Sequence, residues 1–574
     1  MRKTFCKKLV NAAVIALSAV QLTAFPLTAM AEDAVTPTDT AITTEQSAVK
    51  LCGGWFESAY AEWDENIIGS DVKVSYAQAG DSTFTDADAE LIRGTRVDIP
   101  GLKGDTEYTV RIAGSKGNAE FSVKTMSYDR SGYAHYNFEG IGGYNDDGTL
   151  KPDVTVIYVT NENKDTITYN GKVGLYNIFF SGKPKNVVFR FIGSLDVPSG
   201  TVANDGSHND GSNMLYLQNS SNVTVEGIGT DTELRSCGIE MKRCTSCEFR
   251  NLWLGNYPDD GIAMTGNVDI RSAHIWVHNN TIEKGYNQFA GNGHVDADKA
   301  DGDGSVDMKW AEYVTVSYNE FKDCHKTSLV GGKADQIQDF ITYHHNWFNN
   351  THSRNPRARN AHIHSFNNYF TTNSEYGICA SYNSKIFSEC NYFEKANNPL
   401  YAINMGKDKF SGTIKSFGDK FDNCDMGGDY AYKIAESRNE TVTIPNLVEG
   451  GDSYDNFDAE LYSYDIQTPD EAKATVTEYA GRMKATANNG EIKPSEPKTD
   501  TEQPSQEETE LLTGDINNDG ELGVADAVIF GKWLLGEGEM TAEQGKRADI
   551  YADGILDVFD YTALKKHIID ALSK

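Results

Sequence analysis

The chain has 574 residues, a formal net charge of -32 at pH 7 and 11% aromatic residues. A chain of this length predicts several domains, and its aromatic content excludes a globally disordered protein. The strong negative charge argues against nucleic acid or an anionic membrane as the partner.

The N-terminal 31 residues have the pattern of a secretory signal. A basic start is followed by an apolar stretch at Leu9–Val20 and by the small-residue exit Ala29-Met30-Ala31. The apolar stretch is shorter than the ~20 residues that span a bilayer, which argues against a membrane anchor. We therefore predict cleavage after Ala31, a secreted extracellular protein, and a flexible lead-in at residues 32–50.

Residues 51–126 contain short strands with alternating polarity, separated by turn residues. The clearest are Val72–Tyr76, Arg96–Ile99, Tyr108–Ile112 and Ala119–Val123. This pattern resembles a fibronectin type III-like β-sandwich.

A repeat organises residues 127–485. Short β-rich segments end in asparagine, and a large apolar residue stands two positions after it; the asparagines are Asn251, Asn280, Asn319, Asn346, Asn368 and Asn391. These asparagines recur at a regular spacing that is lengthened where loops are inserted. A repeat of this kind is typical of a solenoid whose rungs bury their faces on one another. We expect the asparagine amides to bond to one another along the solenoid axis.

A Pro-, Glu- and Thr-rich stretch at residues 486–511 predicts a linker, and two calcium-type loops follow it. Oxygen ligands at calcium-loop spacing are Asp515, Asn517, Asp519 and Asp526 in the first loop and Asp549, Asp553, Asp557 and Asp560 in the second. Each loop precedes an apolar-periodic helix, so residues 512–574 resemble a dockerin.

That resemblance implies an α-helical calcium-binding module that docks to a cohesin domain of a scaffold protein, as in a cellulosome. The implied docking surface contains Val524, Ala525, Lys532, Val558, Phe559 and Lys566. Tyr551 replaces an oxygen ligand of the second loop, so calcium is expected to bind less tightly there. A calcium-stabilised module without a partner is the alternative.

Charged residues of both signs concentrate between residues 259 and 364. The cations are Lys326, Lys333, Arg354, Arg357 and Arg359, and the carboxylates include Asp259, Asp260, Asp296, Asp298, Asp301, Asp303 and Asp307. On neighbouring rungs they would meet on one solenoid face. Carboxylates hold calcium, and arginines bind anionic sugars, so this site is able to override the negative charge of the whole chain.

The same region resembles the calcium-dependent pectate lyase family. The resemblance rests on Asp303–Lys309, Tyr313–Phe321, His325–Gly331, Thr342–Asn346 and Arg354–Arg359. It implies an all-β right-handed parallel β-helix that cleaves polygalacturonate by β-elimination with Ca2+.

Carried over residue by residue, the family pattern implies three calcium ligands, Asp260, Asp303 and Asp307. It implies that Lys326 neutralises the substrate carboxylate and that Arg354 is the Brønsted base, with Arg359, Arg357 and Lys309 binding substrate. Where the family commonly has Trp-Ile-Asp-His, this chain has Trp276-Val277-His278-Asn279. We expect that position to support the site from a neighbouring rung.

Other interpretations of these residues remain open. Arg354 is also compatible with a charged clamp beside a water or hydroxide base. Asp259-Asp260 and Gly293-His294 faintly resemble the site of a polygalacturonase, a hydrolase on the same fold. A calcium-independent pectin lyase and a non-catalytic adhesin are further alternatives. His344 and His345 are interpreted as stacked structural residues.

Overall fold

The computed structural model describes residues 48–197, 214–291, 295–333, 335–402, 411–428, 432–440, 442–443, 453–454, 462–485, 489–493, 513–517, 519, 522–536, 538, 540–550 and 556–572. The chain forms two compact units, Met1–Ser495 and Glu496–Lys574, and each is described by itself. No helix in the described part of the chain is long and apolar enough to cross a membrane.

The first unit begins with a β-sandwich. Its strands are β1 Val49–Trp55, β2 Ser58–Trp63, β3 Val72–Gln78, β4 Thr85–Asp86, β5 Ile92–Arg93, β6 Arg96–Pro100, β7 Glu107–Gly114 and β8 Asn118–Lys124. They pair antiparallel in the orders β1-β2-β6-β5 and β8-β7-β3-β4. Alternate residues such as Val110 and Phe121 are fully buried between the sheets, which confirms the predicted sandwich.

The rungs of a solenoid follow the sandwich. The elements are β9 Thr155–Val159, β10 Thr168–Tyr169, β11 Lys172–Val173, α1 Leu175–Ser181, β12 Lys185–Asp196, β13 Met214–Gln218, β14 Ser221–Arg235, β15 Gly238–Lys242, β16 Thr245–Arg250, β17 Trp253–Gly255, β18 Ile262–Thr265, β19 Ser272–His278, β20 Thr281–Glu283, β21 Val306–Lys309, β22 Ala311–Ser317, β23 Glu320–Lys322, β24 Leu329–Val330, β25 Gln338–His344, β26 Trp347–Asn349, β27 Arg357–Arg359, β28 Ala361–Phe366, β29 Tyr369–Thr371, β30 Ile378–Ser381, β31 Lys385–Glu389, β32 Tyr392–Glu394, β33 Leu400–Ala402, β34 Thr413–Phe417, β35 Lys420–Asp422 and β36 Tyr432–Ile434. Short 3-10 helices lie at Ala89–Leu91, Tyr133–His135 and Ala297–Lys299.

Apart from β10 and β11, which pair antiparallel with each other, these strands stack into three parallel sheets that run along the solenoid. Sheet 1 has the order β13-β15-β18-β21-β24-β27-β30-β33. Sheet 2 runs from β9 and β12 through β14, β16, β19, β22, β25, β28, β31 and β34 to β36, and sheet 3 contains β17, β20, β23, β26, β29, β32 and β35. The predicted parallel β-helix is therefore confirmed.

A buried asparagine ladder joins successive rungs. The side-chain amide of Asn280 donates to Asn319 Oδ1 at 3.0 Å, and Asn319 donates to Asn346 Oδ1 at 3.0 Å. Asn346 and Asn368 continue the ladder to Asn368 and Asn391 at 2.9 and 3.0 Å. Each bond satisfies polar atoms that burial would otherwise leave unpaired.

Asn251 does not belong to this ladder, contrary to the prediction. The strand register pairs Phe249 with Val277, so Asn251 corresponds to Asn279 and Leu252 occupies the ladder position. The Asn251 amide donates instead to the carbonyl oxygens of Gly227 and Gly229.

Large apolar residues after the ladder stack in the same way. The rings of Phe321, Phe348, Phe370 and Phe393 lie 5.1, 4.6 and 4.3 Å apart from one rung to the next, and all are fully buried. This explains why an aromatic residue recurs after the asparagine, because identical positions pack on one another in a solenoid.

The chain returns along the solenoid after the last rung. Strands β37 Val442–Thr443 and β38 Ser453–Tyr454 form a hairpin, helix α2 spans Pro469–Tyr479, and β39 Glu491–Lys493 pairs antiparallel with β8 of the sandwich. The predicted linker at residues 486–511 thus contains a strand that completes a sandwich sheet, since the edge of β8 offers unpaired backbone groups.

The second unit contains α3 Val524–Leu534, α4 Ala542–Ala548 and α5 Val558–Leu572. Its core includes Ile516, Phe530, Ala548 and Leu564, which are fully buried. The small helical module predicted at the C-terminus is confirmed.

Candidate active site

Carboxylates from two neighbouring rungs converge at the turns that lead into sheet 1. The backbone amide of Asp303 donates to the carbonyl oxygen of Asp259 at 2.8 Å, and that of Gly304 donates to Asp260 Oδ1 at 3.0 Å. Carboxylate oxygens of Asp259, Asp260 and Asp303 lie within 4.8 Å of one another. The predicted ligands Asp260 and Asp303 are thereby brought together with Asp259. These three residues form the carboxylate group of the site.

The electrostatics of this group suit a divalent cation. Burial, together with the negative charges of Asp307, Asp259 and Asp303, raises the pKa of Asp260 well above its usual value. A bound cation would relieve that repulsion, and carboxylate oxygens are the ligands that calcium prefers. The donor set therefore fits the calcium ion that the resemblance implies.

Lys299 is a member of this site that the sequence analysis missed. Its Nζ lies 2.8 Å from Asp259 Oδ1 and 2.9 Å from Asp303 Oδ2. Burial works to raise the pKa of Asp303, but Lys299 and Lys326 lower it to about 2. The ammonium group of Lys299 thus supplies positive charge where a metal would supply it. A lysine inside an acidic loop was the available signal.

Asp307 and Lys309 lie on β21 and point away from the core, because Val306 and Met308 alternate with them and are fully buried. Asp307 Oδ1 accepts a hydrogen bond from the backbone amide of Leu329 at 2.8 Å. Burial raises the pKa of Asp307, and the charges of Arg354 and Lys309 oppose that rise. Asp307 therefore faces both the carboxylate group and the cations.

Lys326 lies between the acidic rungs and the arginine rung. Its buried Nζ is 2.8 Å from Asp298 Oδ2 and 3.1 Å from Asp303 Oδ1. Its backbone bridges in parallel to Ser353, the residue before Arg354. This places an ammonium group directly beside the carboxylate group, one rung before the arginines.

The three predicted arginines belong to the next rung. Arg357 and Arg359 flank the buried Ala358 on β27, so both point away from the core. Arg357 pairs with Leu329 of β24, and Arg359 Nη1 donates to the carbonyl oxygen of Gly331 at 3.4 Å. Arg354 lies in the turn before β27, where its carbonyl oxygen accepts from the amide of Ser328 at 2.7 Å.

The site is thus a row across successive rungs, from carboxylates to lysine to arginine. Adjacent rungs are about 4.8 Å apart, so a cation bound by the aspartates and the side chains of Lys326 and Arg354 would be within reach of one anionic sugar unit. This arrangement can bind a polyanion, polarise its carboxylate and remove a proton beside it.

Two further sequence-based expectations concern the Trp276–Asn279 position and the Gly293-His294 pair. Trp276 and His278 lie on β19 of sheet 2, where their rings stack at 3.6 Å and His278 bonds Glu248 at 3.0 Å. The expectation that this position supports the site from a neighbouring rung is wrong, because it belongs to another sheet. Gly293 and His294, which resemble a polygalacturonase loop, lie outside the described residues.

The dockerin-like loops show matching geometry. Asp526 Oδ1 accepts from the backbone amide of Ile516 at 2.8 Å, and Asp560 Oδ1 accepts from that of Ile550 at 3.0 Å. In the first loop the amide of Asp519 donates to Asp515 Oδ1 at 3.1 Å and the side chain of Asn517 donates to Asp519 Oδ2 at 2.6 Å. Asp549 and Asp557 of the second loop are described by the structure, and Asp553 lies outside the described residues.

Comparison with protein-family models decides the family. Residues 122–485 match the model described as pectate lyase. The chain belongs to the pectate lyase family. Residues 513–569 match the model of the dockerin type I domain, which confirms the C-terminal resemblance.

Individual relatives agree with this assignment. The chain is 33% identical over 207 residues to a pectate trisaccharide-lyase of Bacillus licheniformis, covering 35% of this chain and 56% of the relative. It is 32% identical over 196 residues to pectate lyase C of Dickeya chrysanthemi, covering 33% and 50%. The chain thus spans about half the length of the curated relatives it matches.

Solved pectate lyases also align with the chain. A pectate lyase from Bacillus sp. N165 in complex with trigalacturonate aligns with 25% identity and a TM-score of 0.44, covering 62% of this chain and 99% of that one. Pectate lyase II from Xanthomonas campestris aligns with 23% identity and a TM-score of 0.45, covering 62% and 100%.

Proposed function

We propose that this member of the pectate lyase family cleaves polygalacturonate by calcium-assisted β-elimination and releases unsaturated oligogalacturonides. The observation that carries the proposal is the contact between Lys326 and Asp303 at 3.1 Å, which joins the carboxylate group to the rung of Arg354. Pectate lyase family membership supports it.

The chemistry has one main difficulty, the weak acidity of the C5 hydrogen beside the uronate carboxylate. Asp260, Asp303 and either Asp259 or Asp307 would hold a calcium ion, which would neutralise that carboxylate. The ammonium group of Lys326 adds a second positive charge to the same carboxylate and favours the charge that develops as the proton leaves.

Arg354, in its neutral guanidine form, would accept the C5 proton and become a guanidinium cation. The electrons of the C5–H bond then form the C4–C5 double bond, the C4–O bond breaks, and the departing oxygen takes up a proton. Arg357, Arg359 and Lys309 would hold neighbouring carboxylates of the polymer, since all lie on the outer face of sheet 1.

The runner-up is a polygalacturonase, favoured by the adjacent carboxylates of Asp259 and Asp260. The two activities differ in their product. Mass spectrometry and ultraviolet absorbance of products from polygalacturonate are expected to show one new double bond for every glycosidic bond that is cleaved. Saturated products alone would contradict the lyase proposal and favour the hydrolase.

We expect the ammonium group of Lys299 to compete with calcium for the carboxylates. Its ammonium group contacts Asp259 and Asp303, so Lys299→Ala is expected to strengthen calcium binding, by about tenfold for one partly screened charge. Isothermal titration of the calcium-free protein measures this. The matched control is Lys284→Ala, whose ammonium lies 3.6 Å from Asp301 on the exposed surface. Unchanged or weaker binding in Lys299→Ala would show that Lys299 does not compete.

The raised pKa of Asp260 predicts that calcium affinity depends on pH. Because burial and neighbouring carboxylates favour its protonated form, acidification protonates Asp260 above the ordinary aspartate value of about 3.9 and weakens calcium binding. Asp303, with a pKa of about 2, stays charged in that range.

Acidification weakens calcium binding but is expected to stabilise the calcium-free protein. The folded state takes up a proton at Asp260 before the unfolded state does, so this group adds stability as pH falls through its raised pKa. Calcium titrations and thermal unfolding at stepwise lower pH test both effects. A calcium affinity that stays constant until ordinary aspartates titrate would contradict the assignment of Asp260.

We infer the domain order from these assignments: a signal at residues 1–31, a lead-in, a fibronectin type III-like sandwich to residue 126, the catalytic β-helix at 127–485, a linker within 486–511 and the dockerin at 512–574. The predicted lead-in at residues 32–50 extends too far, because β1 of the sandwich begins at Val49. The signal and most of the linker lie outside the described residues. The dockerin match supports an extracellular enzyme attached to a cohesin-bearing scaffold.

The exposed starts of α3 and α5 are the proposed cohesin contact. Val524 and Val558 are 65% and 58% exposed at equivalent positions of the two loop–helix units. The double variant Val524→Asp/Val558→Asp is expected to bind type I cohesins about 100-fold more weakly, because the contact would then bury two unpaired carboxylates. Val268→Asp, also on an exposed valine, is the control. Retained cohesin binding in the double variant would exclude this surface.

A further inference from the structure

A second cluster of metal-ligating side chains lies away from sheet 1. Ligand atoms of Asp129, His344 and His345 lie within 4.8 Å of one another. His344 is the last residue of β25 in sheet 2, and Asp129 lies in the segment between the sandwich and the first rung. The proposed lyase chemistry uses none of them.

The two histidine rings face each other through the same nitrogen. His344 Nδ1 lies 3.0 Å from His345 Nδ1, and these atoms lie 3.7 and 4.0 Å from Asp129 Oδ2. In a tetrahedral zinc site with bonds of about 2.0 Å, ligand atoms lie roughly 3.3 Å apart. The three observed separations bracket that value.

The outer nitrogens determine which tautomers are present. His344 Nε2 donates to the carbonyl oxygen of Ser131 at 3.2 Å, and His345 Nε2 donates to Gln467 Oε1 at 3.1 Å. The Gln467 amide nitrogen donates to Thr475 Oγ1 at 3.0 Å, which turns its oxygen towards His345. Each Nε2 therefore carries a proton, and each neutral ring presents a bare Nδ1.

Two bare Nδ1 atoms and a carboxylate oxygen repel one another unless a positive species lies between them. A proton shared by the two rings would leave the carboxylate unpaired, because Asp129 Oδ2 lies 3.7 and 4.0 Å from the two Nδ1 atoms, beyond hydrogen-bond length. Imidazole nitrogen with carboxylate oxygen is a donor set that suits zinc and is unlike the all-oxygen set that suits calcium.

The surroundings hold the ligands as outer residues of metal sites do. Ser131 donates its backbone amide to Asp129 Oδ1 at 2.9 Å, and the Tyr318 hydroxyl bonds to the Asp129 side chain. The Tyr318 ring stacks on His345 with centroids 4.7 Å apart. Such outer partners fix the orientation and tautomer of metal ligands.

We propose that Asp129, His344 and His345 bind one zinc-type divalent ion, with a water as the fourth ligand. The open position lies on the side of Asp129, whose side chain is 32% exposed while His344 is fully buried. The ion would tie the segment after the sandwich to sheet 2 and, through Gln467, to the segment before α2. Its role is structural, and the proposal is independent of the lyase activity.

The test uses the full chain, stripped of metal and then held in excess calcium so that the carboxylate sites are filled. Zn2+ binding is measured by elemental analysis and titration, and Co2+ is used as a spectroscopic probe because tetrahedral cobalt absorbs strongly in the visible range. We expect one tightly bound Zn2+, a tetrahedral Co2+ spectrum, and a higher melting temperature with Zn2+ than without.

Three variants and a control assign the ion. His345→Gln and Asp129→Asn are expected to lose the cobalt spectrum and the zinc-dependent rise in melting temperature. Gln467→Met, which leaves all ligands in place, is expected to weaken zinc binding roughly 10- to 100-fold. His362→Gln, from a histidine 3.5 Å from Asp339, is expected to bind as the wild type does.

Several results would overturn the proposal. If the wild type retains no zinc in excess calcium, a proton fills the gap between the rings. If His345→Gln and Asp129→Asn both bind zinc as tightly as the wild type, the ion lies elsewhere. If Gln467→Met binds zinc with unchanged affinity, the tautomer argument is wrong. The melting temperatures of all variants in chelator show whether each one is folded.

Discussion

Replacing Arg354 by alanine is expected to reduce turnover of polygalacturonate about 10³-fold, which is the size of effect that general-base catalysis supports. The variant removes the group proposed to accept the C5 proton and leaves Lys326 and the carboxylate group in place. Initial rates of double-bond formation at saturating calcium measure the loss. Thermal unfolding checks the fold, because Arg354 also opposes the raised pKa of Asp307.

Arg354→Lys distinguishes a base from a charged clamp. It keeps a positive charge opposite Asp307 but ends in a shorter, single amine, so we expect a loss close to that of the alanine variant. A lysine variant within about tenfold of the wild type would show that charge suffices and that water or hydroxide is the base. Arg271→Ala, whose guanidinium bonds Glu312 on the surface of sheet 2, is the matched control.

The second large effect is expected for Asp260→Asn. This variant should bind calcium more weakly but be at least as stable as the wild type without calcium. Asparagine keeps an oxygen that can accept the Gly304 amide but removes one charge from a buried group of like charges. Loss of a buried charge partner costs about 2 kcal/mol or more, so calcium is expected to bind roughly 30-fold more weakly. Without calcium, the variant is expected to unfold at the same or a higher temperature, because the repulsion is relieved.

Calcium titrations of activity and calcium-free melting curves measure the two effects on one preparation. Asp269→Asn, an exposed aspartate in the loop after β18, is expected to change neither. A lower melting temperature of calcium-free Asp260→Asn, with calcium affinity retained, would mean that Asp260 is a structural residue and not a ligand.

The sequence predicts the architecture well because the repeat is local. The asparagine ladder and the stacked phenylalanines follow from identical positions recurring on each rung, and the sandwich strands follow from alternating polarity. Asn251 was assigned to the ladder wrongly because neighbouring asparagines at 279 and 280 made two alignments possible. Only the strand register, which pairs Phe249 with Val277, decides between them.

The site was predicted less completely, because it depends on distances between rungs. Asp260, Asp303 and Lys326 lie together as the family resemblance implies, but the position of Lys299 depends on the path of an inserted loop. His344 and His345, interpreted as stacked structural residues, do stack on Phe366 and Tyr318. Their neighbour Asp129 is more than 200 residues away in sequence, so no local pattern could bring the three together.

The most direct test of the central claim follows ultraviolet absorbance of the unsaturated product while the full-length enzyme acts on polygalacturonate. The account predicts that absorbance rises in calcium, stops when a chelator is added, and resumes when calcium is restored in excess. Cleavage that continues in chelator, or that yields reducing ends without any rise in absorbance, would contradict calcium-assisted elimination at Asp260, Asp303, Lys326 and Arg354.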